Sequence, residues 1–322
     1  MIKKTLYIVV PCYNESEMLP ISIPIMKQKL NDLIETEMVS DASRILFVDD
    51  GSKDNTWKII RHFCTEDNTL CAIKLSRNRG HQSALVAGIS YSVEYADAII
   101  TIDSDLQDDI NCIDKMLGEF YGGKDIVFGV RAARDSDTAF KRNTAQTYYK
   151  LLHLLGIEIV YNHADYRLLS KRAAQSLLQY KESNLFIRGI VPDLGYDTSV
   201  VTYNREERAA GKTKYPLRRM IALALDGITS FSVKPVRLIL LLGVIMLLVS
   251  IVFGFYVIAG HIMGKAIHGW TSTVISIWLF GSLQLISTGI IGEYIGKTYL
   301  ETKHRPRYFI ERIIKDEEEK QV

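Results

Sequence analysis

Five short runs rich in Val, Ile and Leu recur through the first 131 residues: "TLYIVVP", "RILFVDD", "LCAIKLS", "AIITIDS" and "DIVFGVR". Each is near-continuously apolar rather than alternating, which is the pattern of a strand covered on both faces. Between them lie "ISIPIMKQKLNDLIE", "TWKIIRHFC" and "SALVAGISYSVEYA", whose apolar residues fall at roughly helical spacing. Strands buried on two sides need helices on two sides, so the alternation predicts an α/β domain built on a mostly parallel sheet. Such sheets bind ligands beyond the carboxyl ends of their strands. The polar clusters "PCYNE", "VDDGS", "LSRNRG" and "DSDLQDD" fall at those ends. Four strand ends meeting at one crevice constrain function more than any one cluster does.

The last cluster asks for a counter-charge. "TIDSDLQDD", Thr101 to Asp109, places four acidic side chains within nine positions. Asp103 and Asp105 stand two apart where a strand ends. In a continuing strand they would point the same way, and in a loop they can converge on one ion. Oxygen donors of this kind suit a hard cation, Mg²⁺ or Mn²⁺, held by few protein ligands plus substrate phosphates. An isolated Asp-x-Asp pair is otherwise an ordinary polar loop, so its position directly after "AIITI" carries the reading.

Charge and cysteine usage exclude some classes. A formal net charge of +2 over 322 residues argues against a dedicated nucleic-acid binder. The four cysteines, Cys12, Cys64, Cys71 and Cys112, form no CxxC pair and suit a reduced, cytosolic setting. "MIKKTLYIVVPCYNE" has too short an apolar run for a secretory leader, so no signal peptide is expected.

Composition shifts after Pro235. Leu238 to Ala259 carries no charge, and at about 1.5 Å per residue it is long enough to cross a bilayer core. Thr271 to Gly292 is also uncharged, though richer in Ser, Thr and Gly. Two membrane-spanning helices in a hairpin are therefore expected, joined by a loop whose one lysine is Lys265. Both flanks are basic, with Arg205, Arg208, Lys212, Lys214, Arg218 and Arg219 before the pair and Lys297, Lys303, Arg305, Arg307 and Arg312 after it. The positive-inside rule then places both termini and the whole N-terminal domain in the cytosol, as in a multi-pass protein of the cell membrane. The expected organisation is an α/β domain over 1–214, an interfacial amphipathic region over 215–235, the hairpin over 236–296 and a cytosolic tail over 297–322. A helix of the soluble domain remains the alternative for 215–235, and "KDEEEKQV" reads as solvated.

"IVVPCYNE", "VDDGSKDNT", "LSRNRGHQSALVAG", "IDSDLQDD", "ADYRLLS" and "RAAGKTKY" follow one another in the order found in family 2 glycosyltransferases. The chain resembles the polyprenyl-phosphate type of that family, in the manner of dolichol-phosphate-mannose synthases. "DGITSFSVKPVRL" and "GEYIGKTYLETKHRPRY" are more similar to the bacterial bactoprenol-phosphate glucosyltransferases. The resemblance runs from about residue 5 to residue 312. It implies a GT-A, Rossmann-like domain that transfers a sugar, glucose foremost, from a UDP-sugar to a polyprenyl phosphate with inversion.

The same resemblance implies roles for particular residues. Asp103 and Asp105 would ligate the metal, with Gln107 nearby, and Ser104 would lie along the donor. Pro11, Tyr13 and Glu15 would line the nucleotide base, and Asp50 would bind uracil or ribose. For Asp50 a turn-forming role in "DDGS" stays open. Transfer from a nucleotide diphosphate would also call on arginines, and Arg131 and Arg142 would meet the donor phosphates through their planar forks, with plain surface charge as the other reading of either. Arg205, Arg208, Lys212 and Lys214 would cradle the acceptor phosphate, Thr213 standing where the family usually has Ser. For Arg218 and Arg219 the ordinary basic flank is the better reading. Asp165 matches the residue usually proposed as the base, although a phosphate acceptor is already largely dianionic near neutral pH and needs little activation. Membrane lipid and a homo-oligomer are further implied partners.

Other conspicuous residues carry less. His81 reads as a polar helix-start residue, because no partner His sits at ligand spacing. A processive polysaccharide synthase would need a Gln-x-x-Arg-Trp motif, and none of Trp57, Trp270 and Trp278 follows an Arg. A lipid transporter would need more spans than two, and a non-catalytic scaffold would not need an intact acidic pair.

Overall fold

The computed structural model describes residues 3–131, 163–182, 187–204 and 270–321, with isolated helical positions between 236 and 252. The chain divides into two compact units. One comprises Met1–His153, Glu158–Tyr215 and Arg305–Val322, and the other comprises Leu154–Ile157 and Pro216–His304.

The five apolar runs of the first unit are strands β1 (Leu6–Cys12), β2 (Arg44–Asp49), β3 (Leu70–Leu75), β4 (Ala98–Thr101) and β5 (Ile126–Arg131). Helices α1 (Leu19–Glu35), α2 (Thr56–Glu66), α3 (His81–Ser92) and α4 (Cys112–Tyr121) alternate with them. Next come β6 (His163–Ser170), α5 (Lys171–Leu177), α6 (Ile187–Asp193) and β7 (Thr198–Tyr203). After the second unit the chain returns as β8 (Ile310–Lys315) and β9 (Glu318–Gln321). Among the described residues these strands form one sheet in the order β7-β5-β6-β4-β1-β2-β3-β8-β9. β1 pairs in parallel with β2 and β4, β2 with β3, and β5 with β7. β6 and β8 run against their neighbours.

Burial explains the pairing. Every residue of β1 and β4 is buried, as a strand sandwiched between helices requires. α1 turns Leu19, Ile23, Met26, Leu30 and Leu33 into the core at helical spacing. α3 lies against β1 so closely that a Cβ on Gly88 would sit 2.3 Å from Val9 Cγ1, and only glycine permits that approach.

Strands β6 to β9 were not among the five expected. In β6, Tyr166 and Leu168 enter the main core while Asp165 and Arg167 share the other face, the period-two alternation of a strand. The C-terminal residues read as a solvated tail instead extend the sheet. Ile314 pairs with Ala72 of β3 and is fully buried, and it anchors a hairpin whose other residues, Ile310 and Ile313 included, keep some exposure. Arg307 ties that return to the unit by donating to the carbonyls of Tyr180 and Glu182.

In the second unit a single continuous helix, α7 (Trp270–Thr302, 33 residues), contains the expected second span. The expectation of membrane crossing is corrected here. Among the described residues no helix is long and apolar enough to cross a membrane, so neither the spanning hairpin nor the multi-pass cell-membrane localisation is supported. Gln284, Ser287 and Thr288 interrupt the apolar run of α7, and Glu293, Lys297 and Glu301 charge its last third. The expected first span, Leu238 to Ala259, falls almost wholly outside the described residues, as does 215–235.

Candidate active site

The carboxyl ends of β1, β2 and β4 lie side by side, and the antiparallel β6 begins at that same edge. Thr101 pairs with Arg167, and the Thr101 hydroxyl donates to the carbonyl of Asp165. Continuing that register by two residues on each strand brings Asp103, just past β4, opposite Asp165. Two carboxylates distant in sequence therefore share one side of the crevice.

Asp165 is 5% exposed and heavily partnered. Arg167, two residues along the same strand face, donates to Oδ1. Arg188, from the first turn of α6, donates through Nε to Oδ1 at 3.2 Å and through Nη2 to Oδ2 at 2.8 Å. His81, the first residue of α3, brings Nε2 to 3.3 Å from Oδ2. Burial alone would raise the Asp165 pKa, but Arg188, His81 and Arg167 together hold it well below the usual carboxylate range. It is a fixed anion.

Asp103 is in the opposite condition. Its pKa is pushed up to about 6 by burial and by the neighbouring Asp165, Asp108 and Asp105, with His81 working against the rise. His81 Nε2 lies 3.8 Å from Asp103 Oδ1, and each side chain keeps 36% of its surface open. Burial would lower the His81 pKa, but Asp165 and Asp103 raise it.

Asp108 and Asp105 complete the cluster. Asp108 is buried, accepting the Tyr203 hydroxyl at 2.5 Å and Arg131 Nη2 at 3.1 Å. Arg131, expected at the donor phosphates, is thus held by Asp108 and by the Tyr203 oxygen at 3.3 Å. Asp105 Oδ1 accepts the backbone N–H of Gln107 at 3.2 Å, and Ser104 between the two metal-candidate carboxylates is buried.

The side of the crevice expected to take the nucleotide is built from two loops fastened together. Asn14 N–H donates to Ser52 Oγ at 3.0 Å, and Lys53 N–H returns a bond to Asn14 Oδ1 at 2.9 Å. Glu15 N–H donates to Thr56 Oγ1 at 2.9 Å, and Ser16 N–H to Asp54 Oδ2 at 3.2 Å. This clasp fixes buried Pro11, exposed Tyr13 and half-buried Glu15 beside the end of β2. Asp50 is itself engaged. Its two oxygens accept the N–H groups of Arg79 at 2.7 Å and Gly80 at 2.8 Å. Burial raises its pKa while those two N–H groups oppose the rise. The Arg77–Gly80 loop can lie this close because Gly51 has φ +64° and no side chain; a Cβ there would stand 2.5 Å from the Arg77 carbonyl carbon.

Among the described residues no group of three or more His, Cys, Asp or Glu side chains is arranged to hold a metal ion. Asp103 and Asp105 still offer a chemically suitable pair, because Asp103 stands among Asp165, Asp108 and Asp105, whose mutual repulsion a cation would offset. Mg²⁺ and Mn²⁺ sites of this type take their remaining ligands from substrate phosphates and water. Arg142, Arg205, Arg208, Lys212 and Lys214 lie outside the described residues.

Sequence reasoning passed over Arg167, Arg188, Asp108 and Tyr203, and it discounted His81. The Asp165–Arg167 spacing of two was a readable signal once "ADYRLLS" is taken as a strand. Nothing in "NLFIRGI" marks Arg188, because its partner is set by tertiary folding.

An open, mostly parallel α/β sheet with aspartates converging beyond its strand ends is the Rossmann-like layout in which ligands bind at the carboxyl ends of the strands. Residues 7–178 match the glycosyl transferase family 2 model, and the chain belongs to that family as a glycosyltransferase. It is 47% identical to an uncharacterized glycosyltransferase, YkoT, of Bacillus subtilis, covering 95% of this chain and 91% of that one. It is 38% identical to a prophage bactoprenol glucosyl transferase homolog of Escherichia coli, covering 96% and 99%. A bactoprenol glucosyl transferase of Shigella phage SfX is also 38% identical, covering 95% and 97%.

Proposed function

We propose that this glycosyltransferase moves glucose from UDP-glucose to the phosphate of a polyprenyl carrier, with inversion and with Mg²⁺ or Mn²⁺. The observation that carries the reading is the pairing of Asp103, crowded by carboxylates at the end of β4, with Asp165, held ionised opposite it. The near-full-length similarity to proteins named bactoprenol glucosyl transferase supports the sugar and the acceptor.

In the reaction an acceptor phosphate oxygen forms a bond to the anomeric carbon as the bond to UDP breaks. One displacement from the opposite face inverts that centre. Pro11, Tyr13, Glu15 and Asp50 hold the uridine end, with Asp50 acting partly through the Arg79–Gly80 backbone it fixes. Asp103 and Asp105, with Ser104 between them and Gln107 beside them, would hold a divalent cation, which would offset charge growing on the leaving diphosphate. Arg131 adds positive field from behind Asp108, and Arg142 contacts the diphosphate. Arg205, Arg208, Lys212 and Lys214 receive the acceptor phosphate.

Asp165 does not work as a proton acceptor in this scheme. Arg188, His81 and Arg167 hold its pKa below the range where a base would titrate, and a dianionic phosphate needs no base. Its fixed negative charge instead opposes the positive charge that develops at the anomeric carbon.

The test is a donor screen. UDP-glucose, UDP-N-acetylglucosamine and GDP-mannose, each radiolabelled, are offered with undecaprenyl phosphate, with and without chelator. Labelled lipid from UDP-glucose alone, lost in chelator and of inverted configuration by NMR, is expected. Undiminished transfer in excess chelator would overturn the metal reading, and transfer from another donor would overturn the sugar.

A further inference from the structure

His81 connects carboxylates that come from different strands. Its Nε2 is at hydrogen-bond distance from Asp165, 3.3 Å, and at ion-pair distance from Asp103, 3.8 Å. The imidazole is braced from two directions. Immediately before it, the Arg79 and Gly80 N–H groups are held by Asp50 of the β2 end. Immediately after it, Gln82 Oε1 accepts the N–H of Ile187 at 3.3 Å, tying the start of α3 to the helix that carries Arg188. Asp165, the support on which His81 rests, is itself immobilised by Arg167 and Arg188.

Asp103 lacks comparable restraint along its own segment. It lies two residues past the end of β4 in irregular backbone and keeps 36% of its side chain exposed. Asp165, Asp108 and Asp105 all repel its charge, and His81 opposes them. Without the imidazole that repulsion would turn the carboxylate toward solvent and away from the crevice.

We propose that His81 is a positioning residue which, braced on Asp165, aims the Asp103 carboxylate at the divalent cation without ligating that cation itself. The inference rests on the metal-dependent transfer proposed above. A side chain that orients a metal ligand from behind typically changes metal affinity by about 10–100-fold when removed.

The experiment is a Mn²⁺ titration followed by electron paramagnetic resonance, on the full chain saturated with UDP. His81→Ala is expected to raise the Mn²⁺ Kd about 10–100-fold. His81→Gln, which keeps a neutral N–H near the Nε2 position, should bind Mn²⁺ more tightly than His81→Ala. UDP affinity in chelator and the thermal midpoint should stay close to the parent in both variants. A merely structural role would instead lower the midpoint and UDP binding together while sparing Mn²⁺ affinity. Unchanged Mn²⁺ binding in His81→Ala, with binding intact in the parent, would overturn this inference alone. Failure of the parent to bind Mn²⁺ would overturn the metal-dependent reading and the inference with it.

Discussion

Arg188 grips Asp165 with one edge of its guanidinium, Nε to one carboxylate oxygen and Nη2 to the other. The contact joins α6 to β6 across 22 intervening positions and closes one wall of the site. Asp165 retains Arg167 and His81 when Arg188 is removed, and the Arg188 side chain is 40% exposed, which limits the loss. Arg188→Ala is expected to lower stability by about 1–2 kcal/mol, measured by urea unfolding. Arg188→Lys should recover little of it, because a point charge cannot reproduce the two-pronged fork. Full recovery by lysine would show that charge alone, and not geometry, holds α6 in place.

Asp165→Asn tests the anion. The amide keeps the shape but turns an NH₂ group toward the donors of Arg167, Arg188 and His81. Misplacing that wall should cut turnover about 100-fold while UDP binding persists. Because Asp165 is held well below the usual range, its ionisation should put no acid limb on the parent's rate between pH 5 and 8. Equal losses in donor affinity and rate would make Asp165 a donor-binding residue instead.

The raised pKa of Asp103 has a stability consequence whose sign is fixed by linkage. Between its ordinary value of 3.8 and its folded value of about 6, the native state holds a proton that the unfolded chain has released. Stability therefore falls across that window as pH rises, and above pH 6 the native state carries an unfavourable charge. Asp103→Asn removes that charge. In metal-free buffer the variant should melt above the parent at pH 7 to 8, the gap narrowing through pH 6 and vanishing below pH 4. Calorimetric scans across that range check it, and a parent more stable than the variant at pH 7 would show that His81 more than compensates the crowding.

How much of this was legible follows from which forces are local. β1 to β5 were readable because a strand covered on both faces must be apolar throughout, as Leu6–Cys12 is. Asp103 and Asp105 were readable because they sit directly beyond such a run. β6 was passed over as a strand since its alternating "ADYRLLS" buries Asp165 and Arg167 as a pair, and a buried ion pair looks like a surface loop in sequence. His81 was discounted on the absence of a second histidine, although its partners are aspartates from β4 and β6. The apolar run ending at Gly292 suggested a membrane span, yet it belongs to a helix that continues through Glu293, Lys297 and Glu301.

The C-terminal hairpin offers the sharpest contrast between pattern and packing. "FIERIIKDEEEK" is dominated by charge, and its acidic end argued for a solvated tail. β8 nevertheless lies antiparallel on β3, where Ile314 faces Ala72 and is fully buried in the main core. Charge does not prevent this, because Arg312 and Arg61 pair with Glu319 at 3.0 and 2.8 Å along the rim. Surface pairs of that kind add little stability, so the hairpin must depend on its apolar anchor. Ile314→Ala removes three carbons from a fully buried position, and should cost about 2–4 kcal/mol in urea unfolding. Ile313→Ala, on the half-exposed face, should cost under about 1.5 kcal/mol by the same measurement. Equal and negligible effects at the two positions would mean that the sheet ends at β3 and that the hairpin is detachable from the catalytic unit.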